Sequence, residues 1–346
     1  MQTTRTVHPW GAEKEIVVKE IKFWQGFQMG LEEEMAKDPT ILYLGEDAGG
    51  KVGGPFALAK GLQFKFGDNR VFDTPDSEGA FVGIALGLAA NGFRPVVDIS
   101  FMDFMLVAMD QIVNMCAKLR YMAGSENIEK LPMVIHTMAG GGRRAGAQHS
   151  AHFENWFVNV PGLKVVAPSN PYDVKGIIKS AIRDDNPVII VKHKFILSMK
   201  GTIPDEEFVI PLGKAFVKRP GTDVTLVAIS HMVNVALQAA EKLQKEDGIS
   251  VEVVDPLTLA PLDKQTIIDS VKKTGRLVTV HEGWIPFGLG SEFGAVVFEE
   301  CFDYVKAPLI RVGSTFNPKP YSPGMEDYSL PTMPKIIDAV RRSIKS

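Results

Sequence analysis

The chain has 346 residues, of which 45% are hydrophobic, so it is longer than one ordinary core usually fills, and two domains are expected. Charged residues make up 23% and the formal net charge is −3, which excludes an electrostatic basis for binding nucleic acid or anionic membranes. No apolar stretch approaches the roughly 20 residues that cross a bilayer, and no signal-peptide pattern is present, so we expect a cytoplasmic protein without membrane partners.

Residues 1–20 show no sustained hydrophobic period, and Pro9 and Gly11 stand among charged side chains. We predict an N-terminal arm of the kind that packs on a partner subunit. From Phe23 onward, apolar residues recur at intervals of three and four, which predicts a helix that ends near Asp38.

Residues 21–200 alternate short apolar runs with helical stretches. The runs are continuous rather than alternating, which is typical of strands buried on both faces of a parallel sheet, and the helical stretches are long enough to be crossovers. The predicted strands are 41–44, 94–99, 132–136, 163–166 and 187–191, and the predicted crossover helices are 78–91, 104–121 and 171–184. We therefore predict one α/β domain over residues 21–200.

Residues 201–220 carry Gly, Pro and charge without a helical period, and we interpret them as a linker. The βα pattern then restarts, which predicts a second, smaller α/β domain over residues 221–346. Its predicted strands are 224–229, 251–255, 276–280 and 309–312, and its predicted helices are 233–245, 264–273, 288–302 and 334–344. The fold class is thus α/β with two doubly wound domains.

The loop after the first strand reads GEDAGGKV over residues 45–52 and nearly matches the phosphate loop GxxxxGK[ST]. The match fails at Val52, which has no hydroxyl for magnesium, and Glu46 and Asp47 would place negative charge against phosphates. A nucleotide site remains an alternative. The plainer interpretation is a glycine-rich connection whose acidic residues face a cleft or a subunit interface.

Glu78 opens a predicted helix that is apolar nearly all round, so we expect this carboxylate to be buried. Burial raises a carboxylate pKa by up to a few units, whereas the helix dipole opposes it by only about 0.3–1 kcal/mol. A buried glutamate at the carboxyl edge of a parallel sheet is a candidate proton-transfer group. An ordinary helix cap or salt bridge is the alternative.

Residues 139–157 read AGGGRRAGAQHSAHFENWF, with three consecutive glycines, two arginines and two histidines. Glycines allow close approach to a ligand, arginines offer anion contacts, and histidine supplies a proton near neutral pH. No third ligand accompanies His149 and His152 at a convincing position, so the pattern does not favour a metal. A glycine loop with a core or interface histidine is the alternative.

Together these segments resemble the beta subunit of the thiamine-diphosphate-dependent 2-oxo acid dehydrogenase and acetoin dehydrogenase family. The resemblance spans residues 20–340 and implies a transketolase-like pyrimidine-binding domain followed by a transketolase C-terminal domain. It rests on the segments LGED, KFGDNRVFDTPDSEGAFVGIALGLA, GFRPVVD, FMDFMLVAMDQIVNMCAKLRYM, GGGRRAGAQHSAHFENWF, PGLKVVAPSNPYDVKGIIKSAIRDDNPVII and VHEGW.

The resemblance implies roles for three residues. Glu78 matches the glutamate that contacts N1′ of the cofactor's aminopyrimidine and, by sharing a proton with it, activates the thiazolium carbon for attack on a carbonyl. Phe104 matches an aromatic residue that packs on the pyrimidine. His149 matches a histidine that faces substrate and takes part in acyl transfer, whereas His152 has no such counterpart and is interpreted as structural.

The family also has a monovalent-cation site, K⁺ for example, made largely of backbone carbonyls. The corresponding residues here are Met133, Ala181, Ile182, Asp184 and Asn186. Backbone oxygens bind a hard cation whatever the side chain, so the sequence supports the site only through this resemblance. A helix terminus that needs no ion is the alternative.

The chain has no GDG segment with a following Asn, which thiamine enzymes use to hold Mg²⁺ and the diphosphate; the nearest form, Gly67-Asp68-Asn69, lacks that sequel. The resemblance therefore implies an alpha subunit that supplies the Mg²⁺ site, in an alpha2beta2 heterotetramer that cleaves a C–C bond next to a carbonyl and passes the acyl group to a lipoyl acyltransferase. The alternatives are a carboligase that passes the acyl group to a ketone or aldehyde, and a non-catalytic scaffold subunit.

Four positions depart from the family's usual residues. Asp76 lies two residues before Glu78, and we expect this carboxylate to raise the pKa of Glu78 further. Asn159, Lys192 and His281 also differ from the common pattern, and these changes bear on the substrate more than on the cofactor. The segments FMDF, LRYM and GGGRRAGAQHS resemble the acetoin-type branch most.

Overall fold

The computed structural model describes residues 2–7, 13–124 and 126–346, and its strands form three sheets. The strands are β1 (Gln2–Val7), β2 (Glu13–Lys22), β3 (Ile41–Gly45), β4 (Val71–Asp73), β5 (Arg94–Ile99), β6 (Val134–Ala139), β7 (Lys164–Val166), β8 (Val188–His193), β9 (Lys200–Pro204), β10 (Phe216–Arg219), β11 (Val224–Ala228), β12 (Val251–Asp255), β13 (Thr258–Ala260), β14 (Leu277–Trp284) and β15 (Ile310–Ser314). The α-helices are α1 (Phe23–Lys37), α2 (Leu62–Phe66), α3 (Glu78–Ala90), α4 (Leu119–Ala123), α5 (Glu154–Val158), α6 (Pro171–Arg183), α7 (His231–Asp247), α8 (Lys264–Thr274), α9 (Leu289–Cys301), α10 (Pro323–Ser329) and α11 (Met333–Lys345). None of the helices in these described ranges is long and apolar enough to span a bilayer.

The largest sheet has seven strands in the order β13-β7-β8-β6-β5-β3-β4, and all of its pairings are parallel except that of β13. Helices α1 and α6 cover one face, and α3 with residues 102–117 covers the other. The continuous apolar runs are therefore buried on both sides, which confirms the parallel α/β sheet that the sequence predicts.

The second half of the chain forms a five-stranded sheet, β10-β12-β11-β14-β15, with α7 and α11 on one face and α8 and α9 on the other. The apolar side chains of α8 and α9 belong to the same core as those of α3. In addition, β13 leaves this half and pairs antiparallel with β7 of the large sheet. The two halves thus share a core and a strand pairing.

The predicted arm and linker contribute strands. Strands β1 and β2 from the arm and β9 from the linker form a three-stranded antiparallel sheet, and β10 from the linker joins the second sheet. Residues 1 and 8–12 of the predicted arm lie outside the described residues.

The single crossover helix predicted over residues 104–121 is wrong. The segment contains a 3₁₀ turn at Met102–Leu106, a π-helical turn at Asp110–Cys116 and the short α4. The buried residues 102, 105, 108, 112 and 116 are three or four apart, a spacing that a continuous α-helix would also give, so the hydrophobic pattern does not reveal the break. Packing on the sheet thus overrides the uniform helical pattern.

Candidate active site

The carboxyl ends of the parallel strands lie at one edge of the large sheet, and the loops that leave this edge carry the candidate residues. These residues are Glu46 after β3, Glu78 after β4, Phe101 and Phe104 after β5, His149 after β6, and Lys194 after β8. The edge is where open α/β sheets bind their ligands, so the topology alone selects it as the candidate site.

Glu78 begins α3 as its first residue and is only half-buried, so the burial that we expected from the apolar helix is wrong for this chain. The reason is that α3 buries one flank, while the other remains in solvent, where the side chain of Ile84 is 55% exposed. No hydrogen bond or ion pair to the Glu78 carboxylate is found among the described residues, so the alternative of a salt bridge has no support. The carboxylate is available to a ligand.

Glu46, which follows β3 at this edge, has a carboxyl group with a raised pKa. Its pKa is raised to about 7, first by burial and then by the negative charges of Glu78 and Asp76. Asp76 thus acts on the pKa of Glu46. At neutral pH the Glu46 carboxyl is therefore protonated in roughly half of the molecules.

Phe101, Phe104 and His149 form an aromatic cluster. The ring of His149 meets Phe101 with centroids 4.7 Å apart and Phe104 with centroids 5.3 Å apart, both edge to face. Phe104 and His149, which lie 45 positions apart, are thus brought into contact as half-buried rings. This cluster presents aromatic surface and the two ring nitrogens of His149 to a ligand.

Two charged residues support His149. Lys194 donates a hydrogen bond from Nζ to the carbonyl oxygen of His149, and its ammonium lies 5.1 Å from the centroid of the Phe101 ring. Burial lowers the pKa of Lys194 to about 8. Asp103 accepts a hydrogen bond from the amide of Ala151 at 3.4 Å, and burial raises the pKa of Asp103. The backbone from the carbonyl of His149 to the amide of Ala151 is thereby held.

The glycines and arginines of this loop contact the protein itself rather than an open cleft. A Cβ on Gly140 would lie 2.0 Å from Nε2 of His193, and one on Gly141 would lie 2.8 Å from a methyl group of Leu330. Arg144 forms ion pairs with Glu326 and Asp327. The glycines thus permit close packing of the loop, and the anion contacts expected of Arg144 are made to carboxylates of the same chain.

His152, His193 and Glu282 have ligand atoms within 4.8 Å of one another, a spacing that a metal site requires. Nδ1 of His193 accepts a hydrogen bond from the amide of Phe195 at 3.0 Å, so the proton of the neutral ring is on Nε2, the nitrogen that faces Glu282. A metal-binding histidine needs the opposite arrangement, with its free nitrogen donating. The cluster is therefore interpreted as a buried group of close contacts between histidines and a carboxylate rather than a metal site.

His152 is the cation of that group. Burial alone would lower its pKa, but the carboxylates of Glu154 and Glu282, at 3.1 and 3.4 Å from its two ring nitrogens, outweigh burial and raise the pKa to about 9. This agrees with the structural role that we predicted for His152.

A second buried network lies within the sheet. Nζ of Lys192 is 2.6 Å from Nδ1 of His136, whose Nε2 is 3.1 Å from the hydroxyl of Tyr43, and that hydroxyl donates to Asp98 at 2.9 Å. Burial lowers the pKa of Lys192 to about 7 and also lowers the pKa of His136. Lys192 is one of the positions that depart from the family's usual residues. With this pKa it is protonated, and therefore charged, in only part of the molecules at neutral pH.

The loop that resembles a phosphate-binding motif does not present its amides to a ligand. The amide of Gly49 donates to the carboxylate of Asp73, and the amide of Gly50 donates to the side-chain carbonyl of Gln63. Backbone amides that cradle phosphate must be free to donate to it. The geometry argues against the nucleotide alternative.

The carbonyls of the proposed cation site already accept hydrogen bonds. Arg94 donates from Nη1 to the carbonyl oxygens of Ile182 at 2.8 Å and Asp184 at 3.1 Å, and the carbonyl of Met133 accepts from the amide of Val188 at 2.9 Å. Each carbonyl oxygen keeps a second lone pair, so a cation is compatible with these bonds. It would lie close to the guanidinium.

Sequence reasoning missed Phe101, Lys194 and Glu282. Phe101 and Lys194 follow directly after β5 and β8, so their position at a strand end is the signal that identifies them. Glu282 lies more than 120 positions from the loop that it contacts. The signals that could have identified it are its charge within an apolar strand and its place in the segment VHEGW.

Two family models cover most of the chain: "Transketolase, pyrimidine binding domain" matches residues 19–199 and "Transketolase, C-terminal domain" matches residues 213–336. The chain is 43% identical to the acetoin:2,6-dichlorophenolindophenol oxidoreductase subunit beta of Cupriavidus necator, over 91% of this chain and 95% of that one. It is 41% identical to the 2-oxoisovalerate dehydrogenase subunit beta of Bacillus subtilis, over 93% and 98%. A solved structure titled split gene transketolase, inactive beta4 tetramer, superposes with a TM-score of 0.74 at 27% identity and covers 94% of this chain and 98% of that one.

The buried Lys192 makes a prediction about stability against pH. Because its folded pKa of about 7 lies below the unfolded value of 10.5, the unfolded chain binds more protons between these values, and the free energy of unfolding should rise with pH. We expect Lys192→Met to remove a slope of up to about 1.4 kcal/mol per pH unit, measured by urea unfolding from pH 7 to 9. The exposed Lys118→Met should keep the wild-type slope; equal slopes in all three proteins would contradict the depressed pKa.

Proposed function

The chain belongs to the family of beta subunits of thiamine-diphosphate-dependent acetoin and 2-oxo acid dehydrogenases, and on this premise we propose that Glu78, Phe104 and His149 form its share of the active site. The enzyme cleaves a C–C bond next to a carbonyl and acts together with an alpha subunit. The observation that carries the proposal is the uncommitted carboxylate of Glu78 at the carboxyl edge of the sheet, beside the raised-pKa carboxyl of Glu46.

The residues at this edge fit the pyrimidine half of thiamine diphosphate. When bound, the cofactor supplies a nucleophilic carbon for attack on the substrate carbonyl. Glu78 would hold a proton between its carboxylate and the pyrimidine nitrogen. The negative charge of Glu78 also raises the pKa of Glu46. Phe104 offers a half-buried aromatic surface for the heterocycle.

His149 would act on the substrate side of the site. Its ring is held edge to face by Phe101 and Phe104, and its backbone carbonyl is held by Lys194. A histidine fixed in this way can donate a proton to the substrate's carbonyl oxygen or orient it during acyl transfer. Because its backbone and its ring are both anchored, little ordering remains to be done when substrate binds.

The alpha subunit would cover the apolar flank of α3. Ile84 and the neighbouring Val107 are 55% and 62% exposed, which is unusual for aliphatic residues beside a catalytic carboxylate. We propose an alpha2beta2 assembly in which the alpha subunit supplies the Mg²⁺ and diphosphate site that this sequence lacks. Burial of this flank on assembly would also remove water from around Glu78.

The principal test replaces the proposed proton carrier. In the assembled alpha/beta enzyme, Glu78→Gln should lower turnover by about 100-fold or more, because an amide cannot exchange a proton with the pyrimidine nitrogen. Dye reduction with acetoin or a 2-oxo acid measures the loss.

The matched control for that test is Glu292→Gln, which changes an exposed glutamate in the first turn of another helix, α9, and should leave turnover within about twofold. Full activity in Glu78→Gln would reject the assigned role.

For the acyl acceptor, we propose the lipoyl group of an acyltransferase, whose disulfide takes two electrons as it accepts the acyl group. With acetoin as substrate, the assembled enzyme and a lipoylated acceptor should yield S-acyl dihydrolipoyl protein, which mass spectrometry detects. A new C–C bonded product formed equally well without the lipoyl protein would favour the carboligase alternative.

We also propose that K⁺ binds the carbonyls of Met133, Ala181, Ile182, Asp184 and Asn186 through their remaining lone pairs. Binding to the folded state alone should raise the melting temperature by about 2–4 °C in KCl over tetramethylammonium chloride at equal ionic strength. Identical melting temperatures in the two salts would reject the K⁺ site. The hydrogen bonds from Arg94 would then be enough to satisfy the carbonyls of Ile182 and Asp184.

A further inference from the structure

One carboxylate from the second half of the chain joins the two ends of the loop that carries His149. Oε2 of Glu282, on β14, accepts a hydrogen bond from the amide of Gly141 at 2.9 Å and lies 3.4 Å from Nε2 of His152. Gly141 and His152 are the first and last parts of the loop, whose base is closed by the amide of Gly140 and the carbonyl of Ala151 at 3.4 Å.

The second oxygen of the same carboxylate reaches the support of His149. Oε1 of Glu282 lies 3.0 Å from Nε2 of His193, which carries the ring proton because Nδ1 accepts from the amide of Phe195. The next residue, Lys194, donates to the carbonyl oxygen of His149. Glu282 therefore contacts the start of the loop, its end and the strand terminus that holds its middle.

One histidine cation lies between two carboxylates in this cluster. Both ring nitrogens of His152 face carboxylates, Glu154 at 3.1 Å and Glu282 at 3.4 Å, so both carry protons and the ring is a cation. Glu282 and His152 are each 4% exposed and Glu154 is 2% exposed. Because removal of one member leaves uncompensated charge in a buried site, the arrangement is stiff.

A second carboxylate from the same half holds the outer side of the loop. Glu326, on α10, accepts from the amide of Gly142 at 3.0 Å and from the amide of Arg144 at 3.2 Å, and it pairs with the Arg144 guanidinium at 2.6 Å. Its bonds all lie on the early part of the loop. Glu282, by contrast, contacts both ends of the loop through one carboxylate.

We propose that Glu282 is a positioning residue for His149, which it holds in place by joining Gly141, His152 and His193 through one carboxylate. The catalytic consequence rests on the role proposed for His149, whereas the effect on the loop does not. The second half of the chain, which contributes no residue to the aromatic cluster, thereby determines where the histidine of that cluster stands.

The test uses Glu282→Gln in the assembled alpha/beta enzyme. The glutamine side chain has the same shape but lacks the negative charge that faces His152. It also replaces one of the two acceptor oxygens with an NH₂ group. Hydrogen exchange of residues 141–151 should accelerate by about tenfold, and kcat should fall by about 10-fold to 100-fold, as expected for a misplaced catalytic group. The dissociation constant for thiamine diphosphate should stay within about twofold, because Glu78 and Phe104 lie outside the loop.

The matched control is Glu252→Gln. Glu252 is 1% exposed, accepts from the amide of Gly221 at 3.1 Å and pairs with Lys273, so it is a buried glutamate of the same half with the same kinds of partner but far from the loop in its contacts. It should change neither loop exchange nor kcat. If Glu282→Gln does not assemble, His152→Gln tests the same joint from the other side and should accelerate exchange of residues 149–151.

The outcomes separate the two proposals. Unchanged loop exchange in both Glu282→Gln and His152→Gln, or equal acceleration in Glu252→Gln, would overturn the positioning role. Accelerated exchange together with full activity of His149→Ala would uphold the positioning role and reject the proposed function of His149. A fall in kcat together with an equal loss of cofactor affinity would indicate general damage to the site and would also overturn the proposal.

Discussion

A parallel sheet brings the carboxyl ends of its strands to one edge, and everything assigned to the active site depends on that constraint. The loops after β3, β4, β5, β6 and β8 each contribute one or two side chains there. The chemistry of the edge is correspondingly divided, with carboxylates around Glu46 and Glu78 and an aromatic group around His149. A cofactor that needs both a proton partner and an aromatic bed for its ring meets both at this edge.

Buried charge is handled differently in the two halves of the site's surroundings. Within the sheet, Lys192 and His136 lower their pKa values and so avoid part of the cost of burial. At the junction with the second half, His152 is instead kept charged by two carboxylates. The Lys192–His136 network can therefore gain or lose a proton near neutral pH. The ion pairs of His152 with Glu154 and Glu282 instead hold these side chains in place, and they lie against the loop that carries His149.

The sequence predicted five of the seven strands of the large sheet and four of the five strands of the second sheet to within a few residues, because continuous apolar runs indicate burial on two faces. It did not predict β4, β10 and β13, which are only three or four residues long. It also predicted that Phe104 and His149 belong to one site, and the structure places their rings 5.3 Å apart. The break of residues 102–123 and the exposed flank of α3 escaped it, since both are decided by what packs on the segment rather than by its own pattern. Glu282 escaped for the same reason, as its partners are distant in the chain.

The hydrophobic core that α3, α8 and α9 share couples the stability of the two halves of the chain. If the chain were cleaved in the linker and the halves separated, each fragment would expose a hydrophobic surface that the other half now covers. Strand β7 would lose its pairing with β13 and become an unprotected edge strand. The halves are therefore not interchangeable modules. We expect the two halves to unfold in a single cooperative transition on heating or in denaturant. A destabilising substitution in either half should therefore lower the stability of both.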